Sequence, residues 1–306
     1  MPITATEKIW MDGSLVDWVD AKIHVLTHSL HYGSGVFEGI RAYETDEGPA
    51  IFRLTDHIAR LFQSAHILMM EIPFSADELV EATKDVVRVN HLPSCYIRPI
   101  AFLGYGEMGL NPLTSKVNVA IAAWPWGTYL GDEGVANGIR CKVSSWCRAD
   151  PNAFPPAAKS TGIYVNSSLA KVEALKSGYD EAILLSPQGH VSECTGENVF
   201  IVKAGRIITP PVSAGALEGI TQASIMTIAA DLGYDLTVGN ILRTDLYTAD
   251  EAFLSGTAAE IVPIRSVDDR SVGDGQPGPI TRRIQEVYFA AVRGKVDRYK
   301  DWAEHV

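Results

Sequence analysis

The sequence predicts an α+β protein of two domains. At roughly 150 residues per domain, 306 residues suggest about two units, each large enough to bury its own core. Within the first 123 residues the hydrophobic pattern passes from hairpins to helices and back to strands, so the two kinds of element are segregated. An aromatic stretch rich in Pro and Gly then breaks the pattern. We place a small domain at residues 1–123, a connector at 124–133 and a larger domain at 134–306.

The opening reads as hairpins. Lys8 to Met11 and Leu15 to Trp18 flank Asp12-Gly13, a dipeptide that tolerates the positive φ of a tight primed turn. Gly39 to Glu44 and Ala50 to Leu54 bracket a second turn at Gly48. Ile58, Leu61, Phe62, Ala65 and Met69 then follow at helical spacing behind a cap at Thr55 or Asp56. Ser75 with Glu78 forms a capping box for a second helix, whose apolar face is Leu79, Thr83, Val86 and Val87. Strands follow at Cys95 to Leu103 and Lys116 to Ala123.

The connector Trp124-Pro-Trp-Gly-Thr-Tyr-Leu-Gly131 leaves the sheet, and aromatic connectors of this kind often line a cleft. Beyond it, strands are expected at Ile139 to Trp146, Glu181 to Leu185, Asn198 to Lys203, Arg206 to Thr209 and Ala252 to Leu254. Helices are expected at Ile163 to Lys176, Ile220 to Leu232 and Pro279 to Arg293, the first two stopped by Gly178 and Gly233.

Composition excludes several classes of function. With 46% hydrophobic and 21% charged residues the chain is an ordinary folded globule. A net charge of −11 repels nucleic-acid backbones and anionic lipid, so anionic ligands need a local basic pocket. No basic-then-apolar leader and no bilayer-length apolar run are visible, and the expected location is the cytoplasm. Cys95, Cys141, Cys147 and Cys194 show no CxxC spacing, which argues against a zinc knuckle or a redox pair.

Candidate chemistry starts at Lys159, which stands among small residues in Pro155-Pro-Ala-Ala-Lys-Ser-Thr-Gly162, a dry setting of the kind Schiff-base lysines use; the alternative is an exposed loop lysine. Leu217-Glu-Gly-Ile-Thr221 runs into a helix and offers the N–H groups of Ile220 and Thr221 to an anion; Ser255-Gly-Thr-Ala-Ala259 is a second turn of that kind. Glu193 and Glu197 flank a turn, where one could hold a charged ring nitrogen or act as a base, or both could be surface carboxylates. Strand alternation puts Tyr96, Arg98 and Ile100 on one face, suited to a carboxylate and an aliphatic tail, unless Pro99 marks an edge strand with a surface Arg. Arg60 lies about 200° around its helix from the centre of the apolar stripe, on the face that periodicity assigns to solvent. A rival reading takes His24, His28 and His31 as ligands of a metal-dependent hydrolase, but Lys22 to His31 alternates like a strand and no HExxH is completed.

Several segments together resemble a known family. They are Tyr32-Gly-Ser-Gly-Val-Phe-Glu-Gly-Ile-Arg41, Tyr96-Ile-Arg-Pro99, Met108-Gly-Leu-Asn-Pro112, Trp124-Pro-Trp126, Ala157-Ala-Lys159 with Gly162 and Tyr164, Ser192-Glu193 with Gly196-Glu-Asn198, Leu217-Glu-Gly-Ile-Thr221 and Ser255-Gly-Thr-Ala258. In order and spacing, over nearly the whole chain, they resemble the branched-chain amino acid aminotransferases, enzymes of fold type IV that depend on pyridoxal 5′-phosphate. The resemblance implies a small sandwich-like α/β domain, a larger pseudo-barrel α/β domain and a cofactor in the cleft between them. It also implies reversible transfer of the amino group of L-leucine, L-isoleucine or L-valine to 2-oxoglutarate, in an amino-acid biosynthesis role. The fold-type IV alternatives are D-amino acid or (R)-amine transaminases and aminodeoxychorismate lyase.

Carried over by resemblance, Lys159 is the Schiff-base lysine and Glu193 the partner of the pyridine nitrogen. Tyr164 bonds the cofactor's phenolic oxygen, Leu217 packs on its ring, and Arg60, Ile220, Thr221 and Thr257 hold its phosphate. Tyr96, Thr257 and Ala258 form the α-carboxylate site, with Phe37, Tyr164 and Leu110 as pocket walls. Arg98 and Tyr129, with Tyr32 from a neighbouring subunit, accept the side-chain carboxylate of glutamate. The resemblance thus implies a homo-oligomer, a dimer at least and up to a hexamer, with no metal, nucleic acid or membrane partner. Ile163 departs from the Asn that many relatives carry before the Tyr, and Cys194-Thr195 departs from a more usual Gly or Ala.

Overall fold

The computed structural model describes residues 3–306 and divides into two compact units. Of the described residues, the first comprises 3–127, 158–162 and 290–306, and the second 128–157 and 163–289. The Lys159 segment and the C-terminal residues thus belong with the first unit, although in sequence they fall within the expected larger domain.

In the first unit, β1 (Lys8–Met11) and β2 (Ser14–Asp17) form the expected hairpin, with Asp12 and Gly13 at φ 48° and 94°. The segment expected to alternate as a strand instead ends in α1 (His28–Tyr32), closed by Gly33 at φ 65°. There follow β3 (Gly35–Phe37), β4 (Ile40–Thr45), β5 (Gly48–Phe52), α2 (Leu54–Ile67), α3 (Ala76–Val89), β6 (Cys95–Leu103) and β7 (Val117–Trp124). The sheet order is C-terminal strand (Ala303–His305), β5, β4, β6, β7, β1, β2, with β3 also on β6. Its core gathers Ile40, Ile51, Ile97 and Ile121 from the sheet with Ile58, Leu61, Leu79 and Val86 from α2 and α3, all fully buried.

Two local findings shape the site. The helix α2 starts earlier than the Thr55 or Asp56 cap predicted, behind Arg53 at φ 51°. The Thr55 N–H and hydroxyl both donate to Glu304 of the C-terminal strand, at 2.8 Å each, so the cap comes from 249 residues away. β6 is an interior strand, not an edge. Pro99 is tolerated because β3 meets β6 at Phe37–Ile100 and β4 meets it at Ile40–Ile97, leaving Glu38-Gly39 as a break opposite the proline. There the Glu38 N–H donates to the Pro99 carbonyl.

The second unit runs α4 (Gly131–Asn137), β8 (Ile139–Cys147), α5 (Tyr164–Lys176), β9 (Glu181–Leu185), β10 (Val191–Cys194), β11 (Asn198–Lys203), β12 (Arg206–Thr209), α6 (Ile220–Asp231), β13 (Leu236–Val238), α7 (Arg243–Tyr247), β14 (Glu251–Gly256), β15 (Glu260–Val267), β16 (Arg270–Ser271) and α8 (Pro279–Ala291). Its mixed sheet is ordered β10, β9, β8, β15, β14, β11, β12, β13, with β8 parallel to β9 and to β15 and β12 parallel to β13. Near-continuous apolar strands such as Ala182-Ile-Leu184 and Val199-Phe-Ile-Val202 are buried on both faces, as strands inside a covered sheet require. Cys95, Cys141 and Cys194 are buried and Cys147 is exposed; burial pushes the Cys95 thiol up to about 12.

Candidate active site

Lys159 is held by its backbone. Its N–H donates to Ser64 Oγ on α2 at 3.1 Å, and its carbonyl accepts the Phe37 N–H at 3.0 Å. The next residue, Ser160, bridges to Val36, and the Thr161 N–H donates to the Gly35 carbonyl. The segment therefore lies along β3 as an added strand, made possible where Gly33 and Gly162 approach so closely that a Cβ on Gly33 would stand 2.8 Å from the Gly162 Cα. The half-buried side chain extends over the Phe37 ring, its Nζ 5.3 Å from the centroid.

Beside it lies a buried charge cluster. Glu38, released at the break opposite Pro99, is fully buried and accepts Arg60 Nε at 2.7 Å and Nη2 at 2.9 Å. His57 Nδ1 pairs with the same carboxylate at 2.7 Å. Burial opposes ionisation of Glu38, but the Arg60 guanidinium and the His57 ring together outweigh it and hold the carboxyl below the ordinary range. Burial also pushes the His57 imidazole down, so it stands neutral. The Arg60 side chain is only 10% exposed, which corrects its expected place on the solvent face: the carboxylate draws it under the sheet.

The expected face of β6 is present. The Arg98 guanidinium lies over Phe37, 4.7 Å from its centroid, and over Tyr96 at 5.3 Å, and Nη2 donates to the Tyr96 hydroxyl at 3.2 Å. Among the described residues its buried Nε has no hydrogen-bond partner. Tyr96 packs edge-on against Trp126 of the connector, and Gly39 must lack a side chain because a Cβ there would lie 2.0 Å from the Tyr96 hydroxyl.

Tyr32 and Leu110 are apart from this group in character, at 44% and 86% exposed. His28 ties their segments together, pairing with Ser34 Oγ at 2.6 Å and with the Gly109 carbonyl at 2.7 Å. His31 pairs with the Val25 carbonyl and His24 lies against Tyr105, so each of the three histidines has a structural partner.

In the second unit, Glu193 of β10 is buried between two donors. Arg148 Nη2 meets Oε1 at 2.5 Å, and the Leu217 N–H donates to Oε2 at 3.0 Å. The Leu217 carbonyl accepts Asn198 Nδ2 at 2.9 Å, so Glu193, Leu217 and the start of α6 are one assembly. Ile220 and Thr221 open α6 behind Gly219, an N-cap whose Cβ would fall 2.0 Å from Asn198 Oδ1. Glycine supplies no side-chain oxygen there, and the Gly219 N–H donates to Gln222 Oε1 at 3.3 Å. Thr257 and Ala258 sit in the β14–β15 turn, beyond Ser255, whose buried hydroxyl has no partner. Tyr164 is the first residue of α5.

Glu197 is separated from Glu193 by its surroundings. Glu181 accepts Lys171 Nζ at 2.6 Å and the Thr195 hydroxyl at 2.7 Å, and the Tyr129 ring lies 5.4 Å from the same Nζ. Burial, then the charge of Glu181, pushes Glu197 up to about 8. Spacing alone does not distinguish Glu193 from Glu197; in the structure Glu193 pairs with Arg148 while Glu197 lies beside Glu181, and neither Arg148 nor Glu38 stood out in the sequence.

A sequence profile described as amino-transferase class IV matches residues 35–267. The chain belongs to the class IV aminotransferase family. Among other members, the branched-chain-amino-acid aminotransferase of Pseudomonas aeruginosa is 53% identical over 96% of this chain and 95% of its own. That of Escherichia coli K12 is 47% identical over 100% and 99%. The crystal structure of the Escherichia coli branched-chain amino acid aminotransferase superposes with a TM-score of 0.96 at 48% identity, covering 98% of this chain and 99% of that one. A second branched-chain amino acid aminotransferase, from T.th. and solved with pyridoxamine 5′-phosphate, also gives 0.96, at 50% identity and 99% of each chain.

The residues of this class IV aminotransferase fit such a phosphopyridine group. Taken separately, the first unit has in Lys159 an amine with a fixed backbone, and the second has in Glu193, paired with Arg148, a buried carboxylate of the kind that would partner a ring N–H.

Proposed function

We propose that the chain is a branched-chain amino acid aminotransferase, moving the amino group of L-leucine, L-isoleucine or L-valine to 2-oxoglutarate with pyridoxal 5′-phosphate. The observation that carries this reading is the full-length likeness, at about half of all positions, to enzymes of that name. When bound, the cofactor supplies an electrophilic carbon for amines and a ring that takes up the electron pair released at the substrate's α-carbon.

Lys159 anchors the cofactor through Nζ and, once released by the substrate, carries the α-proton on that same atom. Glu193 accepts the ring N–H and keeps that nitrogen protonated. Tyr164 donates to the phenolic oxygen and Leu217 packs on the ring. Arg60, Ile220, Thr221 and Thr257 hold the phosphate. Tyr96, Thr257 and Ala258 bind the α-carboxylate. Phe37, Tyr164 and Leu110 wall the side-chain pocket.

Arg98 lies flat on Phe37 and Tyr96, so an aliphatic side chain meets ring faces while the γ-carboxylate of glutamate reaches the guanidinium, joined by Tyr129 and by Tyr32 of a second copy. A homo-oligomer of at least two copies follows, supported by the exposure of Tyr32 and Leu110 and of Val165, Leu169 and Val172 along α5. The proposed compartment is the cytoplasm, with no membrane partner; no helix among the described residues is long and apolar enough to cross a membrane.

The test is the visible spectrum of the purified protein with pyridoxal phosphate, before and after L-leucine. A cofactor band that converts to the pyridoxamine form supports the reading. A band that ignores leucine but responds to D-alanine or an (R)-arylamine overturns the donor assignment.

A further inference from the structure

Arg148 follows directly on β8, fixed by its own N–H to the Leu185 carbonyl at 2.8 Å, and its side chain is buried. The guanidinium has three separate acceptors: Glu193 Oε1 from Nη2 at 2.5 Å, the Gly215 carbonyl from Nε at 3.2 Å and Ser167 Oγ from Nη1 at 3.3 Å. Those acceptors stand on three different elements: β10, the approach to α6 that continues into Leu217, and the first turn of α5, three residues after Tyr164. Gly215 is shaped for this contact, at φ 92° with a Cβ position only 3.1 Å from Arg148 Cγ.

Resting on the cofactor roles given above, we propose that Arg148 is a positioning residue for the reaction: it supplies the counter-charge beside the Glu193 carboxylate and holds it in a single orientation, and so keeps the cofactor's ring nitrogen protonated. The physical reason is the depth of the carboxylate. A buried carboxyl without a counter-charge takes up a proton, and the neutral acid is a poor partner for a cationic ring N–H. The Leu217 N–H alone supplies no charge.

The experiment compares the holoenzyme with Arg148→Gln, Glu193→Gln and the double variant, each loaded with pyridoxal phosphate carrying nitrogen-15 in the ring. Expected for Arg148→Gln is a ring-nitrogen resonance moved toward the unprotonated position and a kcat about 10- to 100-fold lower, the usual loss when an outer partner is removed. Retention of both the wild-type resonance and the wild-type kcat overturns the proposal. Should Arg148→Gln alone not fold, the double variant leaves no buried charge unpaired and carries the test: it is expected to match Glu193→Gln in resonance and rate. A further loss in the double variant shows that Arg148 does not act through Glu193 and overturns the proposal. If Glu193→Gln itself leaves the resonance unmoved, the assignment of Glu193 to the ring nitrogen is what fails.

Discussion

At the scale of single residues, the site divides into groups that touch a ligand and groups that hold them. Lys159→Ala is expected to abolish turnover while leaving the fold intact, since the backbone bonds to Ser64 and Phe37 do not involve the side chain; single-turnover conversion with L-leucine checks it. Arg98→Gln is expected to raise KM for 2-oxoglutarate by about 10- to 100-fold, the worth of a charge-assisted bond, with little effect on leucine, as steady-state kinetics on both substrates would show. Glu197 supplies a stability prediction with a defined sign. Its carboxyl, at about 8 in the folded chain and 4.5 unfolded, favours folding fully below 4.5 and loses that contribution as pH rises through 8. Glu197→Gln is therefore expected to lack this contribution, so that the Tm difference between the parent protein and the variant shrinks from pH 5 to 8, as thermal melts of both would show. Lys159, Arg98 and Tyr96 stood out as candidates because each lies in a short, locally distinctive segment. Arg148 and Glu38 were not, because their meaning depends on partners 45 and 22 positions away.

At the scale of elements, local chemistry was readable and distant chemistry was not. The Ser75–Glu78 box is present as the sequence predicts, with the Ser75 N–H donating to Glu78 at 2.7 Å and the Glu78 N–H to Ser75 Oγ at 3.2 Å. β6, β9, β11 and β12 run over the expected residues, because their apolar runs are bounded by turn residues. The start of α2 was misread because its N–H partner is Glu304, and α1 because a five-residue helix leaves too few turns for a period to show. A paired measurement follows: Ser75→Ala and Glu304→Ala are each expected to lower stability by about 1 kcal/mol in chemical denaturation, although only the first removes a cap visible in the local sequence.

At the scale of the whole molecule, the two sheets carry different parts of the expected chemistry, the lysine and Arg98 in one and Glu193 and the α6 start in the other. Acid is expected to strike the first unit through its buried cluster. His57, depressed from 6.5, favours folding above that value and loses its contribution as pH falls; Glu38, depressed from 4.5, adds its own loss below that. His57→Gln is therefore expected to remove a contribution that declines on passing from pH 7 to 5, so that its Tm gains on that of the parent protein over this range, as calorimetry of both would report.

The C-terminal strand has a consequence for how the chain is made. The first unit closes its sheet with Ala303–His305 against β5, caps α2 with Glu304 and borrows the strand at Lys159 from mid-chain. During synthesis its first 127 residues therefore leave the ribosome without an edge strand, a helix cap or the Lys159 segment, and wait about 180 residues, on the order of 10 to 40 s, for the last of them. The second unit, though made later, has all its strands first. The order of completion is thus the reverse of the order of translation, and the amino-terminal half is the part that a nascent-chain chaperone would have to shelter.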